Sequence, residues 1–343
     1  MTPTLALDAL PVEVREVFDR FLVCEYASLT RAGRPVTWAV TPYVSPGTLD
    51  VSTGLSYPDK AERARRNPRV ALLYSDPTGS GLDSAPVVLV EGLATVRDAD
   101  LQAGTDRYVR ESLRKTTGMD GVPWLYLRRL GWYFSRVWVE VTPETVTWWP
   151  GGDLSAEPRT WRADTVDAPP SDPAPRGPRA PSRTAAPVDW RPYADRGVAL
   201  GAPVATMVRD GRPVTVRTRA AERTDDGFTL TLPAGVAAVA GPVCLTFHRF
   251  GPGLEWQENV VLLGTAAPGA HDDELDVTVE RALCDWSLAG SKRQRARALL
   301  GPGKELRKRV RAEAARRGQA VPVVHRPAAS SSAPSSSLSS SRS

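Results

Sequence analysis

Apolar positions along this chain follow two different periods, and the period decides which element each segment predicts. In PVEVREVFDRFL the apolar residues recur at helical spacing, which predicts a short amphipathic helix with Val14, Val17, Phe18, Phe21 and Leu22 on one stripe. Short runs rich in β-branched and aromatic residues follow, separated by turn signals such as R-A-G, S-P-G and D-P-T-G. These runs predict strands over EYASLT, RPVTWAVTPYV, TLDVST, VALLYS and PVVLVEGLATV.

Only two further helices are predicted before residue 150. DKAERARRN reads as a brief helix that stops before Pro68, and DADLQAGTDRYVRESLRKTTG as a longer one capped by Asp98 or Asp100. WYFSRVWVEVTPETVTWW predicts two more strands around a turn at Pro143. Many strands with few helices favour an antiparallel barrel over a βαβ array.

The pentapeptide GRPVT occurs twice, beginning at Gly33 and at Gly211. The strand-like runs that follow come in the same order in both places, and their spacing is nearly equal: 22 positions from Val70 to Gly92 and 21 from Val243 to Gly264. The sequence therefore predicts two copies of one folding unit. The second copy shortens SYPDKAERARRNPR to VAAVAGP.

Composition divides the chain into five segments. We predict a first barrel domain over 11–160, a Pro-rich linker over 161–190, a second barrel over 191–290, a basic helical segment over 291–326 and a disordered Ser-rich tail over 327–343. The net charge of +5 arises from the end of the chain, because residues 291–318 carry eleven Lys or Arg against two Glu. The preceding body is mildly acidic, which argues against nucleic-acid binding except through the basic segment.

The basic segment resumes as a helix after Gly301-Pro302, with Leu306, Val310 and Ala314 on a narrow apolar stripe. We expect a solvated terminal helix. Docking on a barrel and contact with an acidic partner, a membrane surface or nucleic acid are the alternatives.

Three well-separated cysteines, no basic leader with an apolar stretch and no uninterrupted apolar span predict a cytoplasmic protein without a membrane segment. No Cys or His spacing predicts a metal site.

The segment STGLSYPDKAERARRN carries candidate anion-binding residues. Hydroxyls at Ser52, Thr53 and Ser56 precede Lys60, which lies in the first turn of the predicted helix. Backbone N–H groups and the helix dipole favour an anion there, and the lysine adds a charge-assisted donor, so the segment suits a phosphate monoester. A solvated helix start with a surface lysine is the alternative.

Four elements in this order resemble the pyridoxamine 5'-phosphate oxidase-like split-barrel flavoproteins: G-x-P-x-x, T-x-x-S-x-x-x-K, N-P-R-V-A-L-L and V-E-G-x-A. The resemblance covers residues 14–150 well and 198–268 more weakly. It implies a mainly β fold with accessory helices, here two tandem split β-barrels of antiparallel strands. It also implies bound FMN, with Lys60, Thr53 and Ser56 on the phosphate and with Thr37, Trp38 and Ala39 along the isoalloxazine.

Family members form the flavin site between two barrels of a homodimer, and two barrels in one chain predict an internal counterpart. The second copy lacks an equivalent of Lys60, so we expect one site per chain. Its wall would come from Arg217, His248, Arg249 and Trp256. The chain itself could be a monomer or a homodimer.

The resemblance implies an FMN-dependent oxidoreductase that transfers hydride or electrons to or from a small-molecule substrate, with no side chain assigned as catalytic. The Arg/His motif of the vitamin-producing oxidase is missing, since Arg136 has no histidine nearby. A deazaflavin or haem could replace FMN, with His248 as a haem ligand. A non-catalytic flavin- or haem-binding module and an interaction protein acting through the basic tail are the rival functions.

Overall fold

The computed structural model describes residues 6–177, 189–287 and 303–327, and these form two curled antiparallel sheets with a few helices. The first sheet contains β1 (Cys24–Leu29), β2 (Pro35–Val40), β3 (Pro42–Ser45), β4 (Thr48–Gly54), β5 (Arg69–Tyr74), β6 (Val87–Arg97), β7 (Arg136–Trp149) and β8 (Arg159–Arg162). The second contains β9 (Val204–Arg209), β10 (Arg212–Arg217), β11 (Ala220–Arg223), β12 (Gly227–Thr231), β13 (Gly241–Phe250), β14 (Gln257–Pro268) and β15 (Glu274–Ser287).

The helices lie mostly on the first half of the chain. They are α1 (Val12–Arg20), α2 (Asp59–Arg66), α3 (Leu101–Lys115), α4 (Trp124–Leu127), α5 (Gly131–Phe134), α6 (Arg191–Ala199) and α7 (Gly303–Arg316). None of the helices in the described ranges is long and apolar enough to cross a membrane.

The two sheets have the same strand order. The first runs β2-β1-β5-β6-β7-β4-β3, with β8 added beside β7, and the second runs β10-β9-β13-β14-β15-β12-β11. Each strand of the second sheet therefore occupies the place of the strand whose number is lower by eight, so that β9 corresponds to β1 and β15 to β7. The two copies predicted from the repeat and the split-barrel fold implied by the family resemblance are both confirmed.

Both sheets carry a bulge at one glycine, and the second sheet has a further register shift between Val261 and Leu262. Gly92 faces Pro143 and Glu91 faces Thr145, so Glu144 is the extra residue; Gly264 likewise faces Val279 and Leu263 faces Arg281, so Glu280 is extra. A Cβ at Gly92 would lie 2.4 Å from the Thr142 carbonyl oxygen, so a side chain does not fit there.

This bulge corrects the prediction of a turn at Pro143. Residues 136–149 form one continuous strand, β7, rather than two strands around a turn. Proline lacks an N–H to donate to the ladder, and the bulge accommodates it inside the strand without a reversal of the chain.

The predicted helices of the first half are confirmed. The stripe of α1 is buried in the core of the first sheet through Val14, Val17 and Phe18. Helix α3 begins after Asp100, whose carboxylate accepts the N–H of Ala103 at 2.9 Å. Helix α2 begins at Asp59 and is preceded by Pro58, which makes no side-chain cap.

The expectation of a solvated C-terminal helix was wrong, because this helix packs on the first barrel. Val310 and Ala314 of α7 are buried in the apolar cluster that forms the core of the first barrel. The predicted stripe is present, but it covers the barrel instead of facing water, because the first barrel offers an apolar face at that place.

The proline-rich segment after β8 lies along the first barrel as far as it is described. The Pro169 carbonyl accepts from the Thr95 hydroxyl at 2.7 Å, and the Asp172 carboxylate accepts from the backbone N–H of Asp98 at 2.7 Å. Residues 178–188 of the predicted linker and residues 328–343 of the predicted tail lie outside the described residues.

The two sheets pack on each other reciprocally. Strand β10 lies against β1 and β5 of the first sheet, and β2, its counterpart, lies against β9 and β13 of the second. This is the arrangement of a two-fold interface within one chain.

The repeated pentapeptide supplies the same two features to both halves of this interface. Its glycine has a positive φ in both copies, +73° at Gly33 and +70° at Gly211, which the hairpin turns require. Its arginine reaches the bulge of the opposite sheet: Arg34 Nη2 lies 2.7 Å from Glu280 Oε2, and Arg212 pairs with Glu144. The pentapeptide therefore helps to hold the barrels together.

Reversing one of these charges should weaken the contact between the barrels. We expect Arg212→Glu to lower the free energy of unfolding in urea by about 1 kcal/mol, since the pair is partly exposed to water. The swapped double variant Arg212→Glu with Glu144→Arg should recover at least half of the loss. Arg31→Glu, on the exposed tip of the first hairpin, is the control. A double variant no more stable than Arg212→Glu would remove the ion pair from the interface.

Candidate functional site

The predicted phosphate segment folds as a tight turn between β4 and α2. Tyr57 donates its N–H to the Gly54 carbonyl at 2.9 Å, and the Thr53 hydroxyl donates to the Tyr57 carbonyl at 3.0 Å. Thr53 thus shapes the turn from within instead of presenting its proton to a ligand. Ser56 is nearly buried, and its hydroxyl lies 3.6 Å from where a Cβ of Gly54 would stand.

Arg136, at the start of β7, places a guanidinium beside this turn. Its Nη1 lies 3.7 Å from the same Gly54 Cβ position. The guanidinium stacks on Tyr108 and Tyr133, with its carbon 4.2 and 4.8 Å from the ring centroids, and its Nη2 donates to the Tyr108 hydroxyl at 3.1 Å. Two aromatic rings therefore fix this cation in position.

From the sequence, Arg136 was considered only for the missing substrate motif, and its position beside the phosphate turn was not predicted. The signal that could have found it is strand pairing, because Arg136 is the register partner of Gly54 on the neighbouring strand β4. Its Nε is buried and has no hydrogen-bond partner among the described residues.

The surroundings of Lys60 disfavour the charged form of its side chain. Burial, followed by the neighbouring Arg63 and Arg136 cations, lowers the pKa of Lys60 from 10.5 to about 8. An anion bound between these groups would favour the charged form of the lysine. The set of a lysine, an arginine and a serine hydroxyl at a turn that opens a helix suits a phosphate.

Trp38 joins this cluster to the second barrel. Lys60 Nζ lies 5.1 Å from the centroid of its ring. The indole packs on an apolar patch of the second sheet that consists of Cys244, Val261, Leu263, Leu283 and Cys284. Its Nε1 is buried without a partner in the described part of the chain. Trp38 thus contacts both Lys60 of the first barrel and the apolar patch of the second barrel.

The corresponding place in the second half of the chain is filled. Val216 is the register equivalent of Trp38, and it is fully buried in an apolar cluster that also contains Ala71, Leu73 and Leu89 of the first sheet. The shortened connection between β12 and β13 has no helix equivalent to α2. The surroundings of Trp38 and of Val216 therefore differ, although the strand order makes these two positions equivalent.

Thr37 and Ala39, predicted to lie along a flavin ring, face the barrel contact. The Thr37 hydroxyl is 2.5 Å from the Thr206 hydroxyl, and the Thr37 carbonyl accepts from the Thr246 hydroxyl at 3.2 Å. Ala39 packs in a small cluster with Leu22, Val23 and Phe250. On β2 it is Trp38 that lies beside the cationic cluster.

His248 and Arg217 meet Glu25 in a buried ion cluster between the barrels. His248 Nε2 lies 2.5 Å and Arg217 Nη2 lies 3.2 Å from Glu25 Oε1, and the Ser75 hydroxyl donates to the same oxygen at 2.6 Å. The cluster joins β1 and β5 of one sheet to β10 and β13 of the other.

This ion cluster and the cationic cluster at Lys60 lie at different places along β13. Cys244 belongs to the apolar patch on which Trp38 packs. It lies four residues from His248 on the same face of the strand, which is a distance of about 13 Å. Arg249, another predicted wall residue, is exposed. The structure thus assembles Lys60, Ser56 and Trp38, and it places His248 and Arg217 in a separate ionic contact.

The ion cluster is asymmetric as well, because the residues at equivalent positions of the two sheets differ. His248 and Ser75 occupy equivalent positions, five residues after Val243 and Val70, and they meet at the same carboxylate. Glu25 and Arg217 correspond to Val204 and Ala39, which carry no charge. The second half of the chain therefore differs from the first both at the cationic cluster and at the centre of the interface.

No family model and no curated protein matches this sequence. Solved structures do resemble it. A putative pyridoxamine 5'-phosphate oxidase from Listeria innocua is 21% identical over 40% of this chain and 96% of that chain, with a TM-score of 0.28. An FAD-binding protein from Mesorhizobium loti is 20% identical over 40% and 92%, with a TM-score of 0.28. The heme storage protein from Vibrio cholerae is 16% identical over 38% and 88%, with a TM-score of 0.28.

Removing the carboxylate of the ion cluster should destabilise the protein strongly. Glu25→Gln leaves Arg217, whose side chain is only 16% exposed, without its counter-charge, so we expect the free energy of unfolding in urea to fall by about 3–5 kcal/mol. Glu222→Gln, on an exposed edge of the second sheet, should change it little. A Glu25→Gln variant that loses no more than about 1 kcal/mol, which is the scale of a surface ion pair, would contradict an ionic contact between the barrels.

Proposed function

We propose that this chain binds FMN at one site between its barrels and transfers hydride or electrons between the flavin and a small-molecule substrate. The observation that carries the proposal is that Lys60, Arg136 and Ser56 lie together beside Trp38, which packs on the apolar patch of the second barrel. The donor set suits the phosphate, and the wall supplies an apolar surface for a flat ring.

The side chains have separate roles in this proposal. Lys60 and Arg136 neutralise the phosphate, and Ser56 donates a hydroxyl hydrogen bond to it. Trp38 and the apolar patch of the second barrel exclude water from the ring and orient it. The flavin, once bound, supplies the redox chemistry, so no side-chain acid or base has to be assigned.

Flavin is favoured over haem by the environment of His248. That histidine was the haem-ligand candidate, but its Nε2 lies 2.5 Å from Glu25 and its side chain is buried. A deazaflavin with a phosphate group would use the same cationic cluster. Titration with FMN and with such a deazaflavin, beside the absorption spectrum and mass of any co-purifying compound, tests the choice. A protein that binds neither would overturn the proposal.

Removing the Lys60 ammonium should weaken FMN binding through the phosphate. We expect Lys60→Ala to raise the dissociation constant of FMN by roughly 10- to 150-fold, the equivalent of about 1.5–3 kcal/mol for a hydrogen bond to a charged group. Riboflavin, which lacks the phosphate, should bind both proteins equally in fluorescence titrations. Lys308→Ala, on an exposed face of α7, is the matched control. Equal FMN affinity in Lys60→Ala would remove Lys60 from the site.

The lowered pKa of Lys60 makes FMN binding depend on pH. Below about pH 8 the lysine is charged in the free protein; above it the lysine must gain a proton to bind the phosphate dianion. Affinity should therefore fall as pH rises from 7 to about 9.5, by at most tenfold per unit. Lys60→Arg, which stays charged, should bind with a flat profile over this range. Parallel profiles for the two proteins would assign the titration to another group.

A further inference from the structure

Helix α7, which belongs to neither barrel, touches the turn of the candidate phosphate site. Arg309 Nε donates to the Ser56 carbonyl at 3.2 Å, and its guanidinium carbon lies 4.1 Å from the ring centroid of Tyr57. Ser56 and Tyr57 are the last two residues of the turn that Thr53 holds from the other side. The turn is therefore fixed between the first barrel and the C-terminal helix.

Helix α7 is also tied to α2, which follows the turn. Glu62 on α2 accepts from Arg316 Nη2 at 2.6 Å and from Arg317 Nη2 at 3.3 Å. Arg317 Nε pairs with Asp98 at 2.9 Å. The side chains of all four residues are at most 13% exposed, so this network is shielded from solvent screening. Since Glu62 lies two residues after Lys60, a shift of α7 would also shift the helix that carries the lysine.

The position of Arg309 brings one more cation to a place that already holds three. Burial, Arg63 and Arg136 lower the pKa of Lys60, and the carboxylate of Asp59 opposes them. The Arg309 guanidinium beside Ser56 adds a further positive charge to this group. A multiply charged anion at the turn would offset the repulsion among these groups.

We propose that α7 is part of the phosphate site, where Arg309 holds the turn in its binding conformation and adds positive charge next to the phosphate. Docking of α7 and binding of a phosphate group then strengthen one another, as two linked equilibria must. The inference rests on the proposed function for the identity of the ligand, but it requires only that a phosphate binds at the turn. The proposal thereby gives α7, which is the helix in the described part of the basic segment, a role within the molecule.

The first experiment compares FMN and riboflavin binding to full-length Arg309→Ala, Arg309→Lys and Arg311→Ala. Arg311 lies on the exposed face of the same helix, so its variant loses the same charge away from the turn. We expect Arg309→Ala to raise the dissociation constant of FMN about tenfold and to leave that of riboflavin unchanged. Arg309→Lys should recover part of the loss, because it restores the charge but not the planar fork. Arg311→Ala should bind FMN like the wild type.

The second experiment uses inorganic phosphate, so that it remains informative if FMN does not bind. We expect phosphate to raise the melting temperature of the wild type and of Arg311→Ala and to slow amide hydrogen exchange in residues 303–316. Both effects should be reduced in Arg309→Ala. Sulfate-free buffer of constant ionic strength is the reference condition, since salt alone screens the cations.

The outcomes separate the inference from the proposed function. Phosphate effects that depend on Arg309 support the role of α7 even if the wild type rejects FMN. Equal phosphate effects in wild type and Arg309→Ala overturn it even if FMN binds tightly. No effect of phosphate on α7 exchange in the wild type also overturns it, as does an equal loss of FMN affinity in Arg311→Ala.

Discussion

The reciprocal packing of the end strands β2 and β10 is the constraint on which the rest of the structure depends. An end strand leaves one row of N–H and C=O groups without a strand partner, and here the opposite sheet covers each of these strands. The arginine of each pentapeptide reaches the bulge glutamate of the other barrel. Because the packing is reciprocal, separating the barrels would expose both end strands at once.

Equivalent backbones impose two similar places at this interface, and side chains make them different. At one of them Trp38 lies beside a group of cations, and at the other Val216 is part of an apolar cluster. The ion cluster around Glu25 shows the same divergence, since its counterpart is Val204. Duplication thus supplies the frame, and substitution in one copy restricts the proposed chemistry to a single site.

The sequence predicted the parts of this structure that depend on short-range patterns. The stripe of α1, the Asp100 cap of α3 and the paired strand order follow from periodicity, capping chemistry and the repeat. The predicted turn at Pro143 was wrong, because this proline lies at a bulge opposite Gly92 within one continuous strand. The burial of Val310 could not be predicted, since an apolar stripe does not say which surface covers it.

By itself the sequence determined that the chain holds two copies of one β unit and that only the first carries the lysine and hydroxyl segment. Those facts are local, and they can be read from residue order. Tertiary structure decided which side chains share a site. It brought Arg136 and Arg309 to the turn of Ser56, from 80 and 253 residues away, and turned His248 toward Glu25. Such neighbours are set by strand register and helix docking, which depend on packing across the whole fold.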